Sequence, residues 1–143
     1  GCAQLDKLDT IVAARRKNWE RLHEGLKDLP QLILPKAEPN SNPSWFGFMI
    51  AVNNDAGFTR NEFTSFLESR KIQTRNLFAG NLIKHPAFDE MRKSGEGYRV
   101  VGELKMTDFV MNNGFWIGVY PGMTPEMLQW MITCIREFCS SKH

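Results

Sequence analysis

No apolar run in this sequence approaches the ~20 residues that a helix needs to cross a bilayer. The first residues carry no basic-then-apolar leader either. Neither a membrane partner nor secretion is signalled, and a cytoplasmic protein is expected. Cysteine is scarce: Cys2, Cys134 and Cys139 make an odd number with no C-x-x-C spacing. That speaks against a disulfide framework and against a metal site. Cys134 and Cys139 fall on an expected helix and read as small buried apolar residues in a reducing compartment. Histidine is equally thin. His23, His85 and His143 lie far apart with no ligand-like spacing. His23 reads as a helix-surface residue, His143 as terminal, and His85 as the cap of a turn at Pro86. An excess of one charge is also missing. Lys and Arg number 18 against 16 Asp and Glu, a net +2. A nucleic-acid binder would carry a basic stripe or a strong basic excess, so nucleic acid is not an expected partner. Arg15, Arg16, Lys17 and Arg21 are interleaved with Glu20 and Glu24 and read as the solvated face of a helix. There is no phosphate loop, no G-x-G-x-x-G opening a helix and no G-x-S-x-G elbow.

What is present suits one domain. The chain has 143 residues, of which 42% are hydrophobic, enough to close a core. Leu5, Leu8, Val12, Trp19, Leu22, Leu26 and Leu29 recur at near-helical spacing, which predicts one long helix over 3–29, stopped by Pro30. "WFGFMIAVN", 45–53, reads as a central strand covered on both faces or nearly so. "TRNEFTSFLESRK", 59–71, opens with a T-x-x-E capping box at Thr59 and Glu62 and predicts a helix. Residues 72–78 follow as a second strand. A short helix over 107–113 is expected, capped by Thr107 or Asp108 and ended by Gly114. "FWIGVYPG", 115–122, reads as a third strand. "TPEMLQWMITCIREFC", 124–139, predicts a helix capped by Thr124, with Met127, Leu128, Met131, Ile132, Ile135 and Phe138 in one stripe. The expected fold is α+β: a small, mostly antiparallel three-stranded sheet with helices on one face, preceded by a long helix. That helix, within residues 1–30, reads either as a linker to another domain or as an amphipathic helix packed on the domain, 31–143. The opening "GCAQLDKLD" has neither Met nor helix cap while a helical pattern is already running. A piece of a longer protein is expected.

One stretch holds the candidate chemistry. "IQTRNLFAGN", 72–81, places Arg75, Asn76, Phe78 and Asn81 at and beyond a strand end, with Gly80 loosening the backbone. Arg offers a planar fork of donors suited to phosphate or carboxylate. Asn offers donor and acceptor together, which suits sugar hydroxyls. By residue type alone, an ordinary polar strand end is the default. Asn112 and Asn113 read first as helix-end residues, and Trp116 as core.

The order of segments is more telling. "AQLDKLDTIVAARRKNWERLHEGL", "SWFGFMIAV", "FTRNEFTSFLESRKIQTRNLFAGNL", "HPAFDE" and "YRVVGELKMTDFVMNNGFWIGVYPGMTPEMLQWMI" resemble, in order and spacing, the DegT-type sugar aminotransferases and dehydratases. These are vitamin-B6-dependent enzymes of the aspartate-aminotransferase fold, and the resemblance covers essentially the whole chain. "QTRNLFAGN" with "TDFVMNNGFWIGVYPG" is similar to the branch that acts on CDP-4-keto-6-deoxyglucose as 3-dehydratases in lipopolysaccharide synthesis. The resemblance implies that this is the C-terminal small domain and that the large cofactor domain lies upstream of residue 1. For the whole enzyme it implies pyridoxamine 5'-phosphate, an iron–sulfur cluster, a homodimer and a separate NAD(P)H-dependent reductase. No cofactor, metal or catalytic residue is placed on this chain. His85, Cys134 and Cys139 sit outside the family's catalytic and cluster motifs. Substrate contacts fall on Arg75 for an anionic group, Asn81 for a sugar hydroxyl and Phe78 for a ring, with Asn112 and Trp116 behind them. The small domain of a nucleotide-sugar aminotransferase is the alternative within the family. A non-catalytic interaction or dimerisation domain is the alternative outside it.

Overall fold

A computed structural model describes residues 1–142; His143 lies outside the described residues. Four strands form one antiparallel sheet in the order β1-β2-β4-β3. They are β1 (Leu32–Ile33), β2 (Gly47–Val52), β3 (Thr74–Asn76) and β4 (Gly114–Gly118). The α-helices are α1 (Cys2–Leu5), α2 (Leu8–Leu26), α3 (Arg60–Ser69), α4 (Asp89–Ser94), α5 (Lys105–Asn113) and α6 (Pro125–Ser140). The α+β class holds. The sheet gains a fourth strand because Leu32 and Ile33 pair with Val52 and Ala51. Two residues are too few to show a period-2 pattern.

Local signals placed the helices that they describe. Thr59 and Glu62 form the reciprocal capping box of α3, and the Thr124 hydroxyl accepts from the Met127 N–H at the head of α6. The long first helix is interrupted. Asp6 and Lys7 separate α1 from α2, and no side chain caps the restart. Trp19, Leu22 and Leu26 are buried, whereas Leu5 and Leu8 are exposed. Only the C-terminal half of the predicted stripe therefore meets the core. The start of α5 also differs. It begins at Lys105, after Leu104 in the left-handed region (φ 52°), and neither Thr107 nor Asp108 caps it. Gly114 leaves α5 in an extended conformation because it is the first residue of β4. A Cβ there would lie 2.6 Å from the Val110 carbonyl oxygen, which is why only glycine makes this helix-to-strand corner.

The core lies on one face of the sheet. Phe48, Ile50 and Val52 of β2 and Phe115 and Ile117 of β4 point into it. They meet Phe63 and Leu67 of α3, Leu22 and Leu26 of α2, and Ile132, Ile135 and Phe138 of α6. Cys134 and Cys139 are buried there. The opposite face carries no helix stripe. Gly47, Met49 and Ala51 alternate with the buried residues of β2 and are only half covered. The expectation of cover on both faces of β2 was therefore wrong. An apolar outward residue looks like a core residue in a one-dimensional pattern. Met127 likewise leaves the predicted stripe and is exposed at 42%.

Candidate functional site

The bare face of the sheet brings together residues that are distant in the chain. Trp116 of β4 is in register with Met49 of β2 on one side and Arg75 of β3 on the other. Strand pleating alone puts these three side chains on the same face. The Trp116 ring leans over Gly47, where a Cβ would meet it at 2.7 Å. It also packs on Phe46 at 5.1 Å between centroids. Arg75 is exposed and no hydrogen bond holds its guanidinium among the described residues. Glu68 lies near it but is taken up by Thr74, whose N–H and hydroxyl donate to it at 2.5 and 2.8 Å. The Thr74 bonds, and to a lesser extent the Arg75 charge, hold the Glu68 carboxyl below its usual range.

Beyond β3 the chain turns sharply. Phe78 adopts φ 34° and its ring is 84% exposed. It shares with Phe46, Gly47, Met49, Leu77 and Trp116 a shallow apolar hollow of about 180 Å³. Asn81 is different: it is 3% exposed. Its Nδ2 donates to Asp108 Oδ1 at 2.8 Å and its backbone N–H to Met111 Sδ at 3.2 Å. Lys84 donates to the second Asp108 oxygen at 2.7 Å. Lys84 first and then Asn81 depress the Asp108 pKa. Gly80 sits at φ 68° against Met111, where a Cβ would be 2.5 Å from Met111 Cγ. The 77–81 loop is thus tied to α5 at its base and presents Phe78 at its tip.

Arg75, Trp116 and Phe78 therefore border one face, while Asn81 supports it from below. Asn112 is exposed on α5 and lines neither hollow beside Phe78. Its neighbour Asn113 ties α5 to β2, donating to the Val52 carbonyl at 2.8 Å and to Asn54 Oδ1 at 3.1 Å. Asn76 is held by Arg60, which also reaches the Gly114 carbonyl. His85 caps its turn by accepting from the Ala87 N–H at 3.4 Å. Sequence reasoning missed Asp108, Met111 and Arg60. Asp108 offered only the signature of a helix cap, and the other two offered none.

Nor do the cysteines fit an iron–sulfur cluster. Both thiols of α6 are buried in the core, and burial pushes Cys134 up and Cys139 up to about 11. Cys2 is exposed on α1. Among the described residues no three His, Cys, Asp or Glu are grouped to hold a metal, and no helix is long and apolar enough to cross a membrane.

The pattern of the DegT/DnrJ/EryC1/StrS aminotransferase family matches residues 1–136. The chain belongs to this family. A dTDP-4-dehydro-2,6-dideoxy-D-glucose 3-dehydratase of Saccharopolyspora spinosa is 50% identical over 136 residues, 95% of this chain and 28% of that protein. The lipopolysaccharide biosynthesis protein RfbH of Salmonella typhimurium is 45% identical over 139 residues, 96% of this chain and 31% of that protein. A crystal structure of GDP-4-keto-6-deoxymannose-3-dehydratase with a trapped PLP-glutamate geminal diamine superposes with a TM-score of 0.82 at 26% identity. It covers 94% of this chain and 33% of that one. This DegT-family chain thus spans about a third of the length of the relatives it matches. Relatives named for a reaction are nucleotide-sugar 3-dehydratases and a nucleotide-sugar transaminase.

In this family member the Asn81–Asp108–Lys84 set predicts a local effect. Asp108→Ala removes the partner of a buried amide, so backbone exchange over 78–85 is expected to speed up on the order of tenfold, the equivalent of one hydrogen bond. Amides of β2 and β4 should not change. Because the Asp108 pKa is depressed in the fold, the contribution is present above the ordinary carboxylate range and is lost as pH falls through the lowered value. Hydrogen exchange at neutral pH and at acidic pH measures both. Uniform acceleration across the sheet would show that the anchor is global instead.

Proposed function

We propose that this chain is the C-terminal small domain of a nucleotide-sugar 3-dehydratase that removes the C3 hydroxyl of CDP-4-keto-6-deoxyglucose on the way to 3,6-dideoxyhexoses. Residues 1–30 link it to a large cofactor-binding domain upstream. The observation that carries this reading is the unbonded Arg75 guanidinium beside Trp116 on the face the helices leave bare. A cation with no hydrogen bond or ion pair of its own among the described residues, on the same sheet face as an aromatic ring, suits an anionic group of a nucleotide sugar. Phe78 packs on a ring of the substrate, and Asn81, with Asp108, holds the loop that presents Phe78. Asn112, exposed on α5 and lining neither hollow, is not assigned a contact.

The relatives favour dehydration over amino transfer. Two 3-dehydratases are 50% and 30% identical to the chain, against 24% for a sugar transaminase. The motif resemblance favours CDP as the nucleotide. In this reading the intact cytoplasmic enzyme is a homodimer. It uses pyridoxamine 5'-phosphate, an iron–sulfur cluster and a separate NAD(P)H-dependent reductase. The aminated cofactor supplies the electron sink for loss of the C3 hydroxyl. The cluster's ligands belong to the rest of the enzyme, since the thiols of α6 are buried in the core. The test is turnover by the intact protein of CDP-, dTDP- and GDP-linked 4-keto-6-deoxyhexoses. Consumption of the CDP sugar with loss of C3 oxygen is expected. An amino sugar as product, or preference for another nucleotide, would overturn the corresponding part. The 143-residue chain alone, titrated with pyridoxal 5'-phosphate, is expected to give no saturable absorbance shift.

A further inference from the structure

Arg75 and Trp116 also border a second, larger cleft of about 560 Å³ at the β3 edge, roofed by the start of α6. That volume is in the range of small-molecule sites. Its floor is Gly118. Buried Phe115, Ile117 and Val119 alternate with Trp116, Gly118 and Tyr120, so the last three share the outward side. A Cβ on Gly118 would meet nothing within 4 Å. Trp116 thus stands about 7 Å along the strand on one side of an empty place, and Tyr120, two residues past the end of β4 with its hydroxyl toward Met127, lines the cleft on the other. Thr74 pairs with Ile117, which brings Gln73 beside Gly118 and Arg75 beside Trp116. Among the described residues no carboxylate lines the cleft, while Arg70, Lys71 and Arg75 do. Arg70 is neutralised by Glu137 at 2.7 Å. Lys71 and Arg75 have no ion-pair partner among the described residues. Unpaired positive charge beside exposed aromatic rings over an open floor is chemistry for a flat ring that carries phosphate.

We infer that this cleft takes the nucleoside diphosphate of the substrate, its base over Gly118 between Trp116 and Tyr120 and its diphosphate against Arg75 and Lys71. The inference rests on the reading of Arg75 as a nucleotide-sugar contact. It adds Gly118, Tyr120, Gln73 and Lys71, and it assigns the Phe78 side to the sugar. Gln73 supplies an amide for the edge of the base.

The 143-residue chain, whose core is closed by its own helices, allows a direct test. Amide NMR spectra are recorded with CDP, dTDP, GDP and inorganic pyrophosphate, each into the millimolar range. At least one nucleotide is expected to shift Gln73, Arg75, Gly118 and Tyr120 saturably. Pyrophosphate should act more weakly and mainly near Arg75. Gly118→Val suits a strand and has room, so the fold should be kept while affinity falls at least about tenfold. Should that variant not fold, Gln73→Ala is read instead, and a severalfold loss is expected. The inference falls if no nucleotide saturates, if pyrophosphate matches the nucleotides, or if a folded Gly118→Val binds like the parent. The underlying reading fails separately. Full turnover by Arg75→Ala in the intact enzyme would remove it, whatever the NMR titration shows, and shifts from pyrophosphate alone would leave it standing without the base slot.

Discussion

Arg75→Ala in the intact enzyme is expected to lower kcat/KM by roughly 10- to 150-fold, the equivalent of a lost charge-assisted contact of ~1.5–3 kcal/mol. Melting temperature should hardly move. The guanidinium is exposed and, among the described residues, no hydrogen bond ties it to the fold, so its removal creates no cavity and orphans no buried partner among them. Arg75→Lys should recover only part of the loss, because a point charge replaces a planar fork. Turnover and melting are measured on the same preparation. If melting drops by many degrees while the folded fraction keeps full activity, Arg75 is a scaffold residue and the proposed site loses its main contact. Trp116→Leu is a poorer probe, since that ring also covers Gly47 and packs on Phe46.

Phe63→Ala is expected to be the most damaging single change to the fold, at ~3–5 kcal/mol. Domains of this size have only ~5–15 kcal/mol to lose. Phe63 is fully buried, stacked on Phe138 at 5.0 Å and edge-on to Phe58 and Phe115 at 5.5 Å each. Its ring joins α3, α6 and β4, so the void would open where three elements meet and no one of them can collapse into it alone. Denaturant titration should show a lower midpoint with an unchanged slope. Phe78→Ala is the control, because an aromatic ring of the same size that is 84% exposed should leave the midpoint where it was. A loss below about 1 kcal/mol for Phe63→Ala would mean that α3 does not pack as described.

These two phenylalanines look alike in the sequence, and the difference between them shows where sequence reading stops. Residues whose roles depend on near neighbours in the chain were legible. Thr59 and Glu62 cap α3 together across one helical turn. Thr124 and Pro125 open α6, and Leu128, Ile132 and Ile135 line its buried side. His85 caps the turn that Pro86 begins. The order and spacing of the segments sufficed to place the chain in its family. The site was legible only in part. Arg75 and Phe78 were candidates by residue type that only the family resemblance raised above an ordinary polar strand end, and both lie at the bare face. Asn81 was singled out on the same grounds, and its amide is buried against Asp108.

The sequence by itself thus determined α3 and α6, the buried half of α2, the places of β2 and β4, the α+β class and the family. Each follows from interactions within a turn or two of chain, or from a pattern of such segments. Only the tertiary structure decided that Leu32 and Ile33 extend the sheet, that one face of β2 is bare, that Asp108 serves Asn81 rather than a helix end, and that Arg75 stands beside Trp116 with Gln73 next to the open place at Gly118. All of these depend on which distant residues the strands and helices bring together. In a sheet that depends on register, and a slip of one residue would turn Arg75 to the other face.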